Sequence, residues 1–439
     1  MTDPNNQQRP TEPVVLDRPL ALPPPLPPEV VATFGSIRKR RALLRSPAYQ
    51  AHHQQLLDLT YGMQYEPAPG SAPHPSEAPP LRGPRTGLQG TGPLRPFVRV
   101  ASWNIKRGIQ LDRIKTFIER HPVLRHVEIW MLNEVDIGMA RSGNRNVAAE
   151  LARHLGLGFV YGNSYLCLDH GDARDGTPQG ENHESLHGNA ILSRHPLIQA
   201  ENFSIQISKD KFHSSEKRLG HKKALWALVQ TPLGPLPVVV LHLDAYASAA
   251  QRGAQLQDAL DRVALRGLRD RVLLGGDLNT NTYDAKNVGQ ICLNLARKAV
   301  RGGFPHAMHH YLHPYELYER PVFRAMEREG FDYRAFNAMG RGTTRYEVET
   351  FDSESTVREQ LPGFAVKVLR RKLRPWNGVA AIKVDWFFGR GLEVARDASD
   401  GSSDESSGPD PRPPGSIERP AVDGVPLSDH DPIVVDVQL

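Results

Sequence analysis

The feature that most restricts this chain is a succession of short apolar runs that begins at Phe97 and continues to the C-terminus. Residues 98–103, 127–132, 158–161, 189–192, 224–229, 237–243, 272–274, 380–388 and 433–437 each read as a buried strand. Helical spacing separates some of them. Leu111, Ile114, Phe117 and Ile118 predict a helix over 111–120, a second runs over 147–155 to a capping Gly156, and a third fits 248–268. Strand-to-strand steps mixed with strand–helix–strand steps predict an α/β chain built on mixed sheets. The apolar runs are far too short to cross a bilayer, so no membrane span is expected.

Of 439 residues, 39% are hydrophobic and 23% charged, enough for a sizeable core. Proline divides the chain: 19 of the 37 lie in the first 97 residues. Residues 1–28 read as a disordered Pro-rich tail, 29–63 as a helical segment with a basic run at Arg38–Arg41, and 64–95 as a linker. Residues 96–439 read as one domain, interrupted by an insertion at 281–378 and by a low-complexity mobile loop at 397–420. Two cysteines, Cys167 and Cys292, exclude a disulfide framework or a cysteine-rich zinc module. The N-terminus carries no secretory pattern, so a cytoplasmic location is expected. A net charge of +5 suits a polyanionic partner without requiring one. Nothing in the composition specifies an oligomeric state.

The chemistry-bearing residues sit at the ends of the strand-like runs. Asn104 follows the first, Glu134 the second, and Asp277 and Asn279 follow 272–274, while His242 ends 237–241 and Asp429 with His430 precedes the last. Polar groups at strand ends converge on one rim of a sheet, where sites on layered folds form. Oxygen donors without cysteine suit a hard cation such as Mg²⁺ or Mn²⁺. Each residue alone reads more often as a turn or surface group; their order and context carry the inference.

Seven ordered blocks resemble the endonuclease/exonuclease/phosphatase superfamily, the metal-dependent phosphoesterases related to pancreatic deoxyribonuclease. They are Ser102-Trp-Asn-Ile105, Leu132-Asn-Glu-Val135, His187-Gly-Asn-Ala-Ile-Leu-Ser193, Val240-Leu-His-Leu243, Gly275-Gly-Asp-Leu-Asn279, Lys383-Val-Asp-Trp386 and Ser428-Asp-His-Asp-Pro432. The stretch from Glu134 to Gly143 is similar to bacterial phosphodiesterase-type members. The resemblance implies a four-layer sandwich, two packed mixed β-sheets flanked by helices. It implies Asn104, Glu134 and Asp429 as metal ligands, with Asp277 orienting or deprotonating water. It further implies Asn279 donating to the phosphoryl oxygens, His430 braced by Asp385 as base or phosphate binder, His242 protonating the leaving oxygen and Asn189 on the substrate wall. Asn133 stands where many members carry Gln.

The implied function is divalent-metal-dependent hydrolysis of phosphodiester bonds, with a slight preference for nucleic acid. Arg370-Arg-Lys-Leu-Arg374 beside Trp376 supplies that preference. The alternatives are a phospholipid or small-molecule phosphodiesterase or phosphatase, and a non-catalytic binding module on the same fold. Arg107, Arg141, Arg218, Lys222 and Lys223 are expected on the solvated surface. His306/His310 and His309/His313 have the i,i+4 spacing of a helical metal site, but no nearby acid completes one, so a solvated helix face is expected.

Overall fold

The computed structural model describes residues 11–70, 97–171, 180–208, 210–214, 216–268, 270–282, 294, 297–298, 300–347, 371–395 and 411–439. The chain begins with strand Val14–Val15 (β1), helices Pro28–Ser36 (α1), Arg40–Arg45 (α2) and Pro47–Tyr61 (α3), and strand Met63–Glu66 (β2). Next come Val98–Arg107 (β3), Leu111–Arg120 (α4), Ile129–Ile137 (β4), Val147–Leu155 (α5), Gly158–Cys167 (β5), Leu186–Ser193 (β6) and Leu197–Ser204 (β7). Arg218–Gly220 (β8), Lys223–Thr231 (β9), Gly234–His242 (β10), Ala249–Leu265 (α6) and Val272–Asp277 (β11) follow. The insertion contains Gly303–Leu312 (α7), Arg320–Arg328 (α8) and Thr344–Glu347 (β12). The remainder is Val379–Ile382 (β13), Asp385–Arg390 (β14), Glu393–Val394 (β15), Gly415–Ser416 (β16), the hairpin Ala421–Val422 (β17) and Val425–Pro426 (β18), and Ile433–Gln438 (β19).

Two large mixed sheets result. One has the order β1-β7-β9-β10-β11-β14; the other runs β15-β19-β3-β4-β6-β5-β2, with β16 on β19 and β8 on β5. Among the described residues of these sheets, only the β3/β4 and β10/β11 pairs are parallel. Val98, Val100, Ile129 and Met131 from one sheet meet Leu225, Val238, Val240 and Leu273 from the other in the central core. Helices cover both outer faces. Leu111, Ile114 and Ile118 of α4 pack with Trp103 and Trp130, each apolar side chain contributing about 1.5–3 kcal/mol on burial. Leu256, Leu260 and Val263 of α6 pack with Trp226, Leu241 and Leu274. Ser248 starts α6 with a reciprocal capping box to Gln251. The expected four-layer sandwich is the observed fold, and no helix among the described residues is long and apolar enough to cross a membrane.

Several expectations need correction. Residues 11–28 are not a loose tail: β1 pairs with β7, and Leu16 and Leu26 are buried. The helical segment is part of the core, with Phe34, Leu43, Leu56 and Leu59 fully buried against the nine-stranded sheet. The expected linker starts as edge strand β2, paired with β5; residues 71–95 lie outside the described residues. The end of the expected mobile loop is also structured, because β16 pairs with β19, while 397–410 lies outside them. The expected strand at 380–388 is two strands, β13 paired with β12 and β14 with β11. Several expected strands ended too early. Each expected run stops at its last large apolar residue, yet Asn104, Glu134 and Asp277 all lie within β3, β4 and β11.

Candidate active site

Strand register sets His242, Asp277 and Asp385 side by side. Asp277 is the partner of His242 across the parallel β10/β11 pair and of Asp385 across the antiparallel β11/β14 pair. Gly276 makes the first approach possible: its φ is +138°, and a Cβ there would lie 1.9 Å from the carbonyl oxygen of Leu241. On the facing sheet, Asn104 is paired with Asn133 across β3/β4. β19 pairs Ile433 with Ser102, which brings the preceding loop with His430 over the end of β3. Ser428 Oγ donates to the Asn104 carbonyl at 2.7 Å, and Trp103 Nε1 donates to the His430 carbonyl at 2.9 Å.

The side chains converge on Asp277. Its Oδ2 accepts from Asn104 Nδ2 at 3.2 Å and lies 3.4 Å from His242 Nε2 and 3.8 Å from His430 Nε2. Its Oδ1 accepts the Asn279 N–H at 2.9 Å. His430 Nδ1 is 2.9 Å from Asp385 Oδ2, the contact expected for the dyad. Asn279 Nδ2 donates to the Leu243 carbonyl at 3.0 Å, which leaves its second N–H for another acceptor.

Burial disfavours charge on His430, but Asp385 and Asp277 outweigh it and raise the ring well above the ordinary imidazole value. Burial, opposed by His430 and reinforced by Asp385, pushes Asp277 up to about 7. Burial and the Lys222 charge push His242 well below its ordinary value, so this ring is neutral. Glu134 lies at a bulge where the β4 register shifts, in the left-handed region with φ +53°. The kink leaves its side chain 21% exposed between the fully buried Asn133 and Val135. Burial opposes its charge, yet Arg107, 3.8 Å away, leads the charges that hold it well below the usual carboxylate range.

Sequence reasoning missed three groups. Asn133 is a hub: its Oδ1 accepts the Asp277 N–H at 2.9 Å, and its Nδ2 donates to Asn189 Oδ1 at 2.9 Å and to the Leu241 carbonyl at 3.1 Å. Asn189 also donates to the Lys223 carbonyl at 3.2 Å. It is therefore buried between the sheets, rather than standing on an open wall. Thr343, in the insertion, accepts the N–H groups of Val384 and Asp385 on its Oγ1, at 3.1 and 3.0 Å, and accepts the Asp431 N–H on its carbonyl at 2.7 Å. It ties the segment at Val384–Asp385 to the loop that carries Asp431. The third group is a buried ion cluster. Arg141 Nε donates to Asp136 Oδ2 at 2.6 Å, His187 Nδ1 lies 2.7 Å from Asp136, and Arg141 is 2.9 Å from Glu216, which also pairs with Arg218. Arg107, Arg141 and Lys223 are thus buried, contrary to the solvated surface expected of them. The repeated switch between charged and apolar residues from Glu134 to Gly143 is the one sequence signal for this cluster.

The hard-cation donors lie beside this centre. Glu134 is held well below the usual carboxylate range, and among the described residues Asn104 Oδ1 accepts only the Lys106 N–H, at 3.1 Å. Asp429 is exposed; among the described residues its carboxylate meets the Ser428 hydroxyl, at 3.5 Å, and its carbonyl accepts from Thr344 Oγ1 at 2.9 Å, in the loop that Ser428 fastens to Asn104. This oxygen set fits Mg²⁺ or Mn²⁺. Asp277, Asp385 and His430 also have ligand atoms within 4.8 Å of one another. Within that group Asp385 Oδ2 already pairs with His430 Nδ1, at 2.9 Å.

A model of the Endonuclease/Exonuclease/phosphatase family matches residues 101–430. No curated protein sequence matches the chain. Among solved structures, an endonuclease/exonuclease/phosphatase from Beutenbergia cavernae is 18% identical, with 79% of this chain and 72% of that one covered and a TM-score of 0.45. A humanised D. rerio TDP2 is 13% identical over 79% of this chain and 100% of its own, with a TM-score of 0.42. The human Nocturnin catalytic domain is 15% identical over 78% and 93%, with a TM-score of 0.40. At these identities none assigns a substrate here.

Proposed function

The chain belongs to the endonuclease/exonuclease/phosphatase family, a family of hydrolytic phosphoesterases that are generally divalent-metal dependent, and we propose that it hydrolyses phosphodiester bonds by attack of an activated water. One observation carries this reading: Asp277 Oδ2 lies 3.4 Å from His242 Nε2 and 3.8 Å from His430 Nε2, with His430 Nδ1 2.9 Å from Asp385, in a buried setting that pushes Asp277 up to about 7 and raises His430. Such a set supplies a base near neutrality and a fixed positive charge for a phosphoryl group.

In this reading Glu134, Asn104 and Asp429 hold the cation, which when bound neutralises phosphate charge and polarises the scissile bond. Asp277 takes the proton of the attacking water. His430, kept protonated by Asp385, binds a phosphoryl oxygen. His242 donates a hydrogen bond rather than a proton, because its environment holds it neutral. Asn279 donates its second N–H to the phosphate. Asn189 and Asn133 act as positioning residues, since their amides are taken up by protein partners.

Nucleic acid remains the preferred substrate class on the exposed Arg371, Lys372 and Arg374. Trp376 does not add to that preference, because it packs against Phe304 at a ring separation of 6.5 Å. The test is turnover with Mg²⁺, Mn²⁺ or EDTA on nicked and abasic DNA, RNA, sphingomyelin, phosphoinositides and bis-p-nitrophenyl phosphate. Metal-dependent cleavage of a diester is expected, and Glu134→Gln is expected to weaken Mg²⁺ binding in calorimetry. Turnover unaffected by EDTA, or unchanged Mg²⁺ affinity in the variant, would remove the metal assignment.

A further inference from the structure

Helix α7 buries one face in the insertion. Ala307, Met308 and Tyr311 pack with Leu373, Ala380 and Ile382, and the Tyr311 carbonyl accepts the Lys383 N–H at 2.9 Å. Its other side carries imidazoles. The acid that sequence spacing did not supply comes from the turn Pro314–Glu316, which folds back on the helix end. Glu316 Oε2 lies 2.7 Å from His309 Nε2 and 3.7 Å from His310 Nδ1. The three ligand atoms are all within 4.8 Å of one another.

His310 is the independent sign of a ligand. It is 8% exposed, and among the described residues its Nδ1 has no hydrogen-bond partner, although it faces a carboxylate oxygen at 3.7 Å. Buried polar atoms are rarely left so without a reason such as an ion. His313 stacks on His309 at 4.4 Å, and its Nδ1 is 2.9 Å from the His309 carbonyl, which steadies the neighbouring ring.

We propose that His309 Nε2, His310 Nδ1 and Glu316 Oε2 bind one Zn²⁺-type transition-metal ion, separate from the catalytic centre, with water in the fourth position. Two imidazoles and a carboxylate suit zinc rather than Mg²⁺. Ligand atoms about 2.0–2.1 Å from a tetrahedral ion stand about 3.3 Å apart, and the two separations from Glu316 fall on either side of that value. The half-exposed Glu316 leaves room for water. The ion clips α7 to the turn whose Tyr315 packs edge-on against Trp386, the residue after Asp385. It is a structural staple for the insertion beside the dyad.

The experiment is calorimetric titration of ZnCl₂ into chelator-stripped full-length protein in excess Mg²⁺, with Co²⁺ absorption as a second readout. One tight equivalent and a tetrahedral Co²⁺ spectrum are expected, both persisting in Glu134→Gln and in His306→Gln. Glu316→Gln and His309→Ala are expected to weaken zinc by more than about 10-fold, with metal-free melting unchanged because both side chains are at the surface. Absence of a tight equivalent would overturn the site. So would equal affinity in Glu316→Gln, or loss of the equivalent in Glu134→Gln, which would put the zinc in the catalytic centre.

Discussion

The carboxylates of Asp277 and Glu316 each face two imidazoles, yet they are held in opposite ways. Asp277 is 2% exposed, and its neighbours come from β3, β10, β14 and the loop before β19. Glu316 is 40% exposed in its side chain, and both of its histidines lie within eight residues of it in sequence. Long-range placement fixes the first group through the backbones of several strands. A single turn fixes the second. The buried acid accordingly shifts far from its ordinary value, and damage to one of its neighbours spreads to the rest.

The largest expected effect tests that interlocking. His430→Ala is expected to lower turnover about 10²–10⁴-fold, and Asp385→Asn somewhat less. The double variant should be barely worse than His430→Ala, because the pair acts as one unit. Turnover at saturating Mg²⁺ measures it, and multiplicative losses would break the dyad assignment.

Asn133→Ala comes next. It leaves the Asp277 N–H, the Leu241 carbonyl and Asn189 Oδ1 without their partner. Stability is expected to fall by about 2–4 kcal/mol, and turnover with it, as measured by denaturant unfolding and kinetics. A fall in stability with unchanged turnover would separate the hub from the site.

Acid sharpens the contrast more gently. Burial, aided by Arg218, pushes His187 down to about 4. Below its unfolded value of about 6.5 the unfolded chain takes up a proton that the folded ring refuses. Stability is therefore lost as pH falls from about 6.5 towards about 4, by up to about 3 kcal/mol from this group. Urea melts across that window should flatten in His187→Asn; an unchanged slope would exonerate His187. The smallest effect belongs to the local cluster. His309→Ala is expected to leave turnover within about twofold and zinc-free stability within about 0.5 kcal/mol, and a large loss of turnover would join the two regions.

Most of the sandwich was legible in the sequence, because buried strands and amphipathic helices declare themselves by local period. The helices over 111–120 and 147–155 match those observed to the residue. Local reading failed where long-range pairing overrode composition. Within the Pro-rich residues 11–28, Val14–Val15 forms an edge strand, since a short edge strand needs only one paired side. The ordered blocks singled out Asn104, Glu134, Asp277, Asp385 and His430 as candidates.

Their chemistry was decided by the tertiary structure. No local pattern tells that Asp385 and His430, 45 residues apart, touch, or that Asn133 joins β4 to β10 and β11. Nor does any local pattern tell that Thr343 in the insertion ties Asp385 to Asp431. The same holds for Arg107 and Arg141, which look like surface cations until Glu216 and Asp136 are buried beside them. Charge on an isolated residue is set by water; charge in a core is set by which partners the fold brings within a few ångströms, and those partners are far away along the chain.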